Sequence, residues 1–179
     1  PASHFVRRGE SAALADLVAG DWPGAVLKPV ISAGADDTYS FQGSEAGALQ
    51  PEFEKLLTEK DVLVQEFMPE IQTEGEWSLL FFNKRFSHAV LKQPKAGDFR
   101  VQPHLGGSQD TAQAPTTLIE QAGEILALLD QPLLYARVDG VNRGGSLVLM
   151  ELELIEPYLY LEYDQAAPAR FAQAILSLL

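Results

Sequence analysis

Three acidic side chains interrupt two apolar segments near the end of the chain. Asp139 lies in the segment 133–141, and Glu151 and Glu153 lie in the segment 146–155. Side chains alternate between faces along a strand, so the two glutamates are expected on one face. If the two segments pair as antiparallel strands, Asp139 reaches the same face, where three carboxylates repel one another. A divalent cation relieves that repulsion, and Mg²⁺ suits carboxylates combined with substrate phosphates. A solvated hairpin face is the alternative.

Strict alternation also assigns the apolar neighbours of these glutamates. It places Leu147 and Leu149 beside Glu151 and Glu153, and it places the intervening Met and Leu residues on the opposite face. We therefore expect one mixed face and one wholly apolar face in this strand.

Three basic residues are candidates for binding an anion. Lys28 ends a short apolar segment and precedes the small-residue segment 31–38, where the backbone can approach a phosphate closely. Lys92 ends another apolar segment, and Arg100 follows within the irregular stretch 93–114. An arginine can hold two oxygens of a phosphate or carboxylate. The alternative for each residue is an ordinary surface base.

The overall charge of the chain narrows the class of partner. The net charge is −12, which argues against a nucleic-acid partner, because phosphate backbones require clustered Lys and Arg. No segment is long and apolar enough to span a bilayer, and no signal peptide is visible, so no membrane partner is expected. The chain has no cysteine, which favours the cytosol.

Hydrophobic periodicity supplies the elements that would position these residues. It predicts helices over 10–19, 47–60, 116–129 and from about 167 to the end. It predicts strands over 25–30, 38–41, 61–67, 77–82, 86–92, 98–102, 133–141 and 146–155. The two hairpins turn at Asn83-Lys84-Arg85 and at NRGG (142–145). This order of elements is typical of an α+β protein that divides near residue 67.

Five segments occur in the order found in ATP-grasp ligases: VLKPVISAG, LVQEFMPEIQTEGEWSLLFF, FSHAVLKQPKAGDFRVQPHLGG, ARVDGV and LMELELIEP. The chain resembles the glutathione synthetase-like branch of that family. The resemblance implies the ATP-grasp fold, with two α+β subdomains whose antiparallel sheets enclose a nucleotide cleft. It assigns residues 1–66 to the small subdomain and 67–179 to the metal-binding subdomain. It also implies a fragment without the family's N-terminal domain, which we expect to bind nucleotide weakly and to be inactive alone.

The resemblance also gives roles to individual residues. It assigns Lys28 and Ser32 to the phosphates of ATP and Glu74 to the ribose. It assigns the adenine to a linker whose members are Gln65, Glu66, Phe67 and Met68. It gives Lys92 and Arg100 to the transferred phosphoryl group, as catalytic residues. It makes Asp139, Glu151 and Glu153 the ligands of Mg²⁺, with Mn²⁺ as a substitute.

The reaction that the resemblance implies is an ATP-dependent ligation. ATP phosphorylates a carboxylate, and an amine attacks the acyl phosphate to give an amide. The expected partners are small-molecule carboxylates and amines, and the expected location is the cytoplasm. The oligomeric state stays open, although relatives with this fold are often homo-oligomers. Two alternatives stay open: a kinase acting on a carboxylate or hydroxyl with the same site, and a nucleotide-binding module without catalysis.

Overall fold

The chain forms two compact units, Pro1–Pro69 and Glu70–Leu179. The computed structural model describes residues 1–18, 20–31, 36–101 and 105–178. Each unit has its own antiparallel sheet and its own apolar core. The predicted α+β class, with two antiparallel sheets, is therefore confirmed. Within the described ranges, no helix combines the length and apolarity that a membrane crossing requires.

The first unit is a four-stranded sheet packed against one helix. Its strands are β1 (Ser3–Val6), β2 (Ala25–Pro29), β3 (Tyr39–Phe41) and β4 (Val62–Glu66), in the order β1-β4-β2-β3. Helix α1 (Ala46–Glu59) buries Phe53, Leu56 and Leu57 in the same core as Leu27 and Val64 of the sheet. These apolar residues recur at the spacing that gives a helix one buried face.

The second unit is a five-stranded sheet with its main helix on one face. Its elements are α2 (Glu70–Thr73), β5 (Glu76–Phe82), β6 (Arg85–Gln93), β7 (Ser108–Thr111), α3 (Thr116–Ala127), β8 (Tyr135–Arg143), β9 (Ser146–Glu153) and α4 (Ala167–Leu176). The strand order is β7-β6-β5-β8-β9. Leu118, Ala122 and Leu126 of α3 pack on alternate residues of the central strands. The other face of the sheet carries a smaller apolar cluster, in which Leu80 and Val90 pack with Tyr160, beside its polar side chains.

Both predicted hairpins are present with two-residue turns. Asn83 and Lys84 have φ values of 47° and 59°, and Gly144 and Gly145 have φ values of 60° and 89°. Two successive left-handed residues form the turn whose twist matches that of paired strands. This geometry sets the registers of β5 with β6 and of β8 with β9.

Two predicted elements are wrong. Within residues 10–18 the predicted helix over 10–19 is only one turn of 3₁₀ helix, Leu14–Leu17, and residue 19 lies outside the described residues. The Gln50 side chain forms hydrogen bonds with backbone groups of this segment that a longer helix would use. It accepts from Leu14 N at 2.7 Å and donates to Ala12 O at 3.0 Å. The strand predicted over 98–102 is absent in 98–101, and residue 102 lies outside the described residues.

The side chain of Asp98 explains why the second segment is not a strand. Its Oδ1 accepts from the backbone N of Phe99 at 2.7 Å and of Arg100 at 3.0 Å. These local bonds bend the chain and replace pairing with a strand. The edge strand β7 was not predicted, since its sequence, SQDT, is polar throughout.

A bulge in β9 overturns the predicted arrangement of its apolar residues. Asp139 pairs with Glu151 and Gly140 pairs with Leu149, so Met150 is the extra residue. The alternation of side chains between the two faces of the sheet therefore shifts by one residue at Met150. Leu147 and Leu149 therefore join the α3 core instead of the glutamate face, as do Leu152 and Leu154.

Gly140 lets the two strands approach at this bulge. A Cβ atom there would lie 2.6 Å from Leu147 Cδ1 and 2.8 Å from Val148 O. Only glycine fits without displacing backbone. The bulge thus depends on a glycine in the partner strand.

Candidate active site

The three acidic residues predicted as metal ligands converge on the sheet face opposite α3. Asp139 projects from β8, and Glu151 and Glu153 project from β9. Each offers one carboxylate oxygen within 4.8 Å of the other two. Asp139 is fully buried, whereas the Glu151 side chain is 60% exposed. The cluster is thus buried at Asp139 and open to solvent at Glu151.

Two cationic side chains enter this cluster. Lys92 Nζ donates to Asp139 Oδ2 at 2.9 Å. Arg137 Nε lies 3.0 and 3.1 Å from the two oxygens of Asp139, and its Nη2 donates to Glu153. The same Nη2 lies 3.9 Å from Glu151 Oε2. Arg137 therefore touches all three acids.

A fourth carboxylate, Glu76, completes the cluster from β5. Its Oε2 lies 2.8 Å from Lys92 Nζ, and the two residues face each other in the β5–β6 register. Gly75 allows this approach, because a Cβ there would lie 2.6 Å from Lys92 O. Four carboxylates and two cations thus share one face of the sheet.

The charges of the cluster sustain one another. Burial acts to lower the pKa of Lys92, but the carboxylates of Glu76 and Asp139 outweigh it and raise that pKa. Burial acts to raise the pKa of Asp139, but Lys92 and Arg137 outweigh it and lower that pKa. Lys92, Arg137 and Asp139 are therefore ionised at neutral pH.

Two of the other three acids, Glu76 and Glu151, hold their protons more tightly than usual. Burial raises the pKa of Glu76, and Lys92 offsets this only in part. Partial burial and the carboxylates of Glu153 and Asp139 raise the pKa of Glu151. Two internal cations therefore do not fully compensate four acids, and the cluster favours a further positive charge.

Ser78 adds an unpaired donor next to the cluster. It faces Asp139 in the β5–β8 register and is fully buried. Its Oγ has no hydrogen-bond partner among the described residues. A buried hydroxyl without a partner is costly, so a water or ligand oxygen is expected to satisfy it.

The donor set suits a hard divalent cation. All three candidate ligands are carboxylates, the open side lies at Glu151, and Mg²⁺ or Mn²⁺ prefers oxygen ligands with room for further oxygens. The residues present therefore fit the metal that the resemblance implies.

Two of the predicted site residues of this unit lie in other contacts. Glu74 accepts a hydrogen bond from Asn142 Nδ2 at 3.2 Å. Arg100 binds Asp98 through Nε at 3.1 Å and through Nη2 at 2.9 Å. Of the two residues predicted to be catalytic, Lys92 therefore lies in the cluster, whereas Arg100 pairs with Asp98 of its own loop.

Apart from Glu74, the predicted nucleotide-binding residues belong to the first unit. Lys28 and Gln65 lie on the sheet face away from α1, because their strand neighbours are buried against that helix. Glu66 ends β4, Phe67 N donates to Gly24 O at 2.9 Å, and Met68 is buried. Ser32 lies outside the described residues.

Sequence reasoning missed Arg137 and Glu76. Arg137 stands two residues before Asp139, so the period of a strand places both on one face. Counting the hairpin register outward from its turn would place Glu76 opposite Leu91, and the bulge at Ser87 shifts it to Lys92. Only the signal for Arg137 is therefore present in the sequence.

Comparisons with known proteins agree with this fold. No protein-family model matches the sequence. Cycloserine biosynthesis protein DcsG from Streptomyces lavendulae is 32% identical over 160 residues, which cover 84% of this chain and 53% of that protein. Glutathione synthetase from Prochlorococcus marinus (strain MIT 9313) is 25% identical over 156 residues, which cover 85% of this chain and 48% of that protein. The chain thus spans about half the length of these relatives.

Solved structures extend the likeness to nearly the whole chain. The crystal structure of D-cycloserine synthetase DcsG matches 98% of this chain and 63% of its own, with a TM-score of 0.85 and 29% identity. D-alanine–D-alanine ligase from Bacillus anthracis, complexed with ATP, matches 99% of this chain and 57% of its own, with a TM-score of 0.64 and 15% identity. The ATP-grasp ligase PsnB matches 98% of this chain and 55% of its own, with a TM-score of 0.62 and 16% identity.

The topology, the charged cluster and these likenesses agree with the order of sequence motifs. The chain has the ATP-grasp fold, and its sequence is similar to the glutathione synthetase-like branch of the ATP-grasp proteins.

Proposed function

We propose that this chain provides the ATP-binding and catalytic residues of a ligase that joins a carboxylate to an amine. The observation that carries the proposal is the cluster in which Lys92 and Arg137 lie among four carboxylates on one sheet face. Support also comes from the relatives, since the matched proteins include synthetases and ligases and one of them is complexed with ATP. Catalysis that moves a phosphoryl group needs positioned charge of this kind more than a nucleophile.

The acids would hold the metal that accompanies ATP. Asp139, Glu151 and Glu153 would bind Mg²⁺, or Mn²⁺ in its place. When bound, the metal would neutralise phosphate oxygens and so favour transfer of the terminal phosphoryl group. Asp139 also keeps Lys92 and Arg137 ionised, so its role extends beyond the metal.

The cations would act on the transferred phosphoryl group. Lys92 and Arg137 carry N–H groups that can pass from carboxylates to phosphate oxygens without a change in charge. Arg100 would bind the same group or the acyl phosphate after leaving Asp98. These side chains would position the phosphoryl group and neutralise its charge, and no protein atom would form a covalent bond in the reaction.

The first unit would supply the rest of the nucleotide contacts. Lys28 and Ser32 would bind phosphates, and Glu74 of the second unit would bind the ribose. The segment from Gln65 to Met68 would bind the adenine. In this proposal residues 1–66 form one ATP-grasp subdomain, and residues 67–179 form the other.

The proposed reaction has two steps. A carboxylate oxygen attacks the terminal phosphorus of ATP, ADP leaves, and an acyl phosphate forms. The nitrogen of an amine then attacks the acyl carbon, phosphate leaves, and the amine loses a proton. The products are an amide, ADP and phosphate. We further propose small-molecule substrates, a cytoplasmic location and a homo-oligomeric assembly for the whole protein.

Glu151→Gln gives the cleanest test of the proposed metal site. Its side chain is 60% exposed, so the substitution leaves the core intact. Asp139→Asn would in addition remove the charge that pairs with buried Lys92 and Arg137. We expect Glu151→Gln to weaken Mg²⁺-dependent ATP binding by about 10-fold to 100-fold, measured by calorimetry with and without Mg²⁺. Unchanged Mg²⁺-dependent binding in this variant would contradict the assignment.

The matched control is Glu124→Gln, an exposed acid on α3 at the opposite face of the sheet. It removes the same charge and should leave binding unchanged. Release of ADP that requires both a carboxylate and an amine would distinguish a ligase from a kinase. Such a screen of small carboxylates and amines also identifies the substrates.

A further inference from the structure

The N–H groups of the Arg137 side chain donate hydrogen bonds to three different residues. Its Nε binds Asp139, its Nη2 binds Glu153, and its Nη1 donates to Tyr158 O at 3.3 Å. The residue is 7% exposed. A guanidinium shared among three groups needs a support that fixes its plane, because each bond depends on the same orientation.

Tyr160 provides that support. The Cζ atom of Arg137 lies 5.7 Å from the centre of the Tyr160 ring, and Tyr160 is 5% exposed. The ring packs edge-to-face with Tyr158 at 4.9 Å and with Tyr163 at 5.4 Å. Its hydroxyl accepts from Gln109 Nε2 at 3.2 Å. The ring is therefore held on several sides.

The backbone of Tyr160 is held in an unfavourable conformation. Its φ of 49° and ψ of 37° are left-handed, a region that residues other than Gly, Asn and Asp seldom adopt. Such conformations persist where the surroundings determine them, and they concentrate at functional sites. The conformation turns the Tyr160 ring towards Arg137 and its carbonyl towards β6.

His88 of β6 fixes that carbonyl. Its Nε2 lies 3.0 Å from Leu159 O and 3.1 Å from Tyr160 O, and its Nδ1 lies 2.9 Å from Ser87 Oγ. Burial lowers the pKa of His88, so the ring is neutral and Nε2–H donates to the carbonyls. Ser87 is the extra residue of a bulge in β6, since Phe81 pairs with Phe86 and Leu80 pairs with His88.

The chain of contacts continues to the last helix. Arg170 of α4 donates through Nε to Ser87 Oγ at 2.8 Å and binds Asp164 through Nη2 at 2.6 Å. The segment that carries Tyr160 is therefore anchored from β6 and α4, at a distance from the acids themselves.

We propose that Tyr160 is a positioning residue that holds Arg137 in the orientation needed to bind the transferred phosphoryl group, with His88 as the anchor of Tyr160. The role of Arg137 rests on the proposed function, but its contact with Tyr160 does not. Tyr160 touches neither substrate nor metal in this proposal and acts only through Arg137.

A double-mutant cycle between Tyr160 and Arg137 tests the proposal. The full chain is prepared as wild type, Tyr160→Leu, Arg137→Met and the double variant. We expect Tyr160→Leu to weaken Mg²⁺-ATP binding about tenfold in the wild-type background but less than about twofold in the Arg137→Met background. Equal losses in both backgrounds would overturn the proposal, because a residue with only a general structural role affects both alike.

Two further variants separate the ring from the backbone. Tyr160→Phe keeps the ring and should bind Mg²⁺-ATP within about twofold of wild type. Tyr160→Gly tolerates the left-handed backbone but has no ring, so it should weaken binding as much as Tyr160→Leu. Binding restored by glycine would show that the backbone alone matters and would overturn the role of the ring.

The free energy of unfolding in urea separates this proposal from the proposed function. If the wild type shows no Mg²⁺-dependent ATP binding, the proposed function fails. The double-mutant cycle is then evaluated only from the free energies of unfolding of its four proteins. Coupling between Tyr160 and Arg137 in that measurement supports the claim that Tyr160 holds the Arg137 side chain, and additive losses overturn that claim.

Discussion

Lys92 ends β6 with its ammonium group between two carboxylates, 2.8 Å from Glu76 and 2.9 Å from Asp139. All three side chains are largely removed from water, so each charge depends on the others. Loss of one member of a buried ion pair typically costs about 3–5 kcal/mol, because the remaining charge stays desolvated. Glu76 is the more vulnerable of the two acids, since Asp139 retains Arg137.

The variant Lys92→Met should therefore lower the free energy of unfolding by about 3 kcal/mol at pH 7.5. Burial already raises the pKa of Glu76, and loss of the ammonium group raises that pKa further. A folded carboxyl with a raised pKa contributes stability at low pH that is lost as the pH rises through that value. We therefore expect the loss of unfolding free energy in Lys92→Met, relative to wild type, to be smaller at pH 5 than at pH 7.5. Urea unfolding at both pH values measures it.

Lys55→Met is the control for this measurement. It breaks an ion pair with Glu52 in which the Lys55 side chain is 71% exposed, and exposed pairs contribute little. It should change stability by less than about 0.5 kcal/mol at either pH. An equal deficit for Lys92→Met at pH 5 and pH 7.5 would show that Glu76 does not depend on Lys92.

At the scale of elements, the bulge at Met150 sorts the side chains of β9. On its N-terminal side Leu147 and Leu149 face α3, and on its C-terminal side Glu151 and Glu153 face the cluster. A regular strand would place these leucines and glutamates on one face. The bulge therefore gives the α3 core its leucines and the cluster its acids.

Two single-residue deletions should differ sharply. Deletion of Met150 restores regular alternation, and every other residue of β9 keeps its face, so we expect a folded protein. The loss of the local twist should nevertheless weaken Mg²⁺-ATP binding, because bulges orient neighbouring side chains. Thermal unfolding and calorimetry measure the two effects.

Deletion of Leu152 is the matched comparison. It makes Glu151 and Glu153 adjacent, so one of them must turn towards the α3 core, where an unpaired carboxylate is very costly. We expect this variant not to fold. If the variant without Leu152 folds and the variant without Met150 does not, the assignment of β9 side chains to the two faces of the sheet is wrong.

At the scale of the whole molecule, each unit has its own core. The first is formed by α1 and the sheet of β1–β4, and the second by α3 and the sheet of β5–β9. The whole charged cluster lies in the second unit, whereas Lys28 and the segment 65–68 lie in the first. Stability of the cluster and binding of ATP should therefore be separable.

Residues 70–179 expressed alone should fold cooperatively and retain the cluster. We expect Lys92→Met to destabilise this piece about as much as the full chain, because all its charged partners are present. Binding of Mg²⁺-ATP should be weaker than in the full chain, as calorimetry would show. If the isolated piece lacks cooperative urea unfolding, the second unit depends on the first for its fold.

Much of the fold follows from local signals. The helices α1 and α3 and both hairpins were predicted because apolar period and turn residues act over a few neighbouring positions. The 3₁₀ turn at Leu14–Leu17 and the edge strand β7 were not, since Gln50 from α1 binds the first and pairing with β6 forms the second. These contacts join residues far apart in the chain.

The sequence by itself determined the ATP-grasp fold, the two α+β units and the three acids expected at the metal, because order of motifs and strand period are properties of neighbouring residues. Only the tertiary structure decided that Lys92 and Glu76 join those acids and that Arg100 does not. It also decided that the leucines of β9 leave the glutamate face. The physical reason is that a bulge and a buried ion pair exist only where separate strands pack together, and neither has a local pattern.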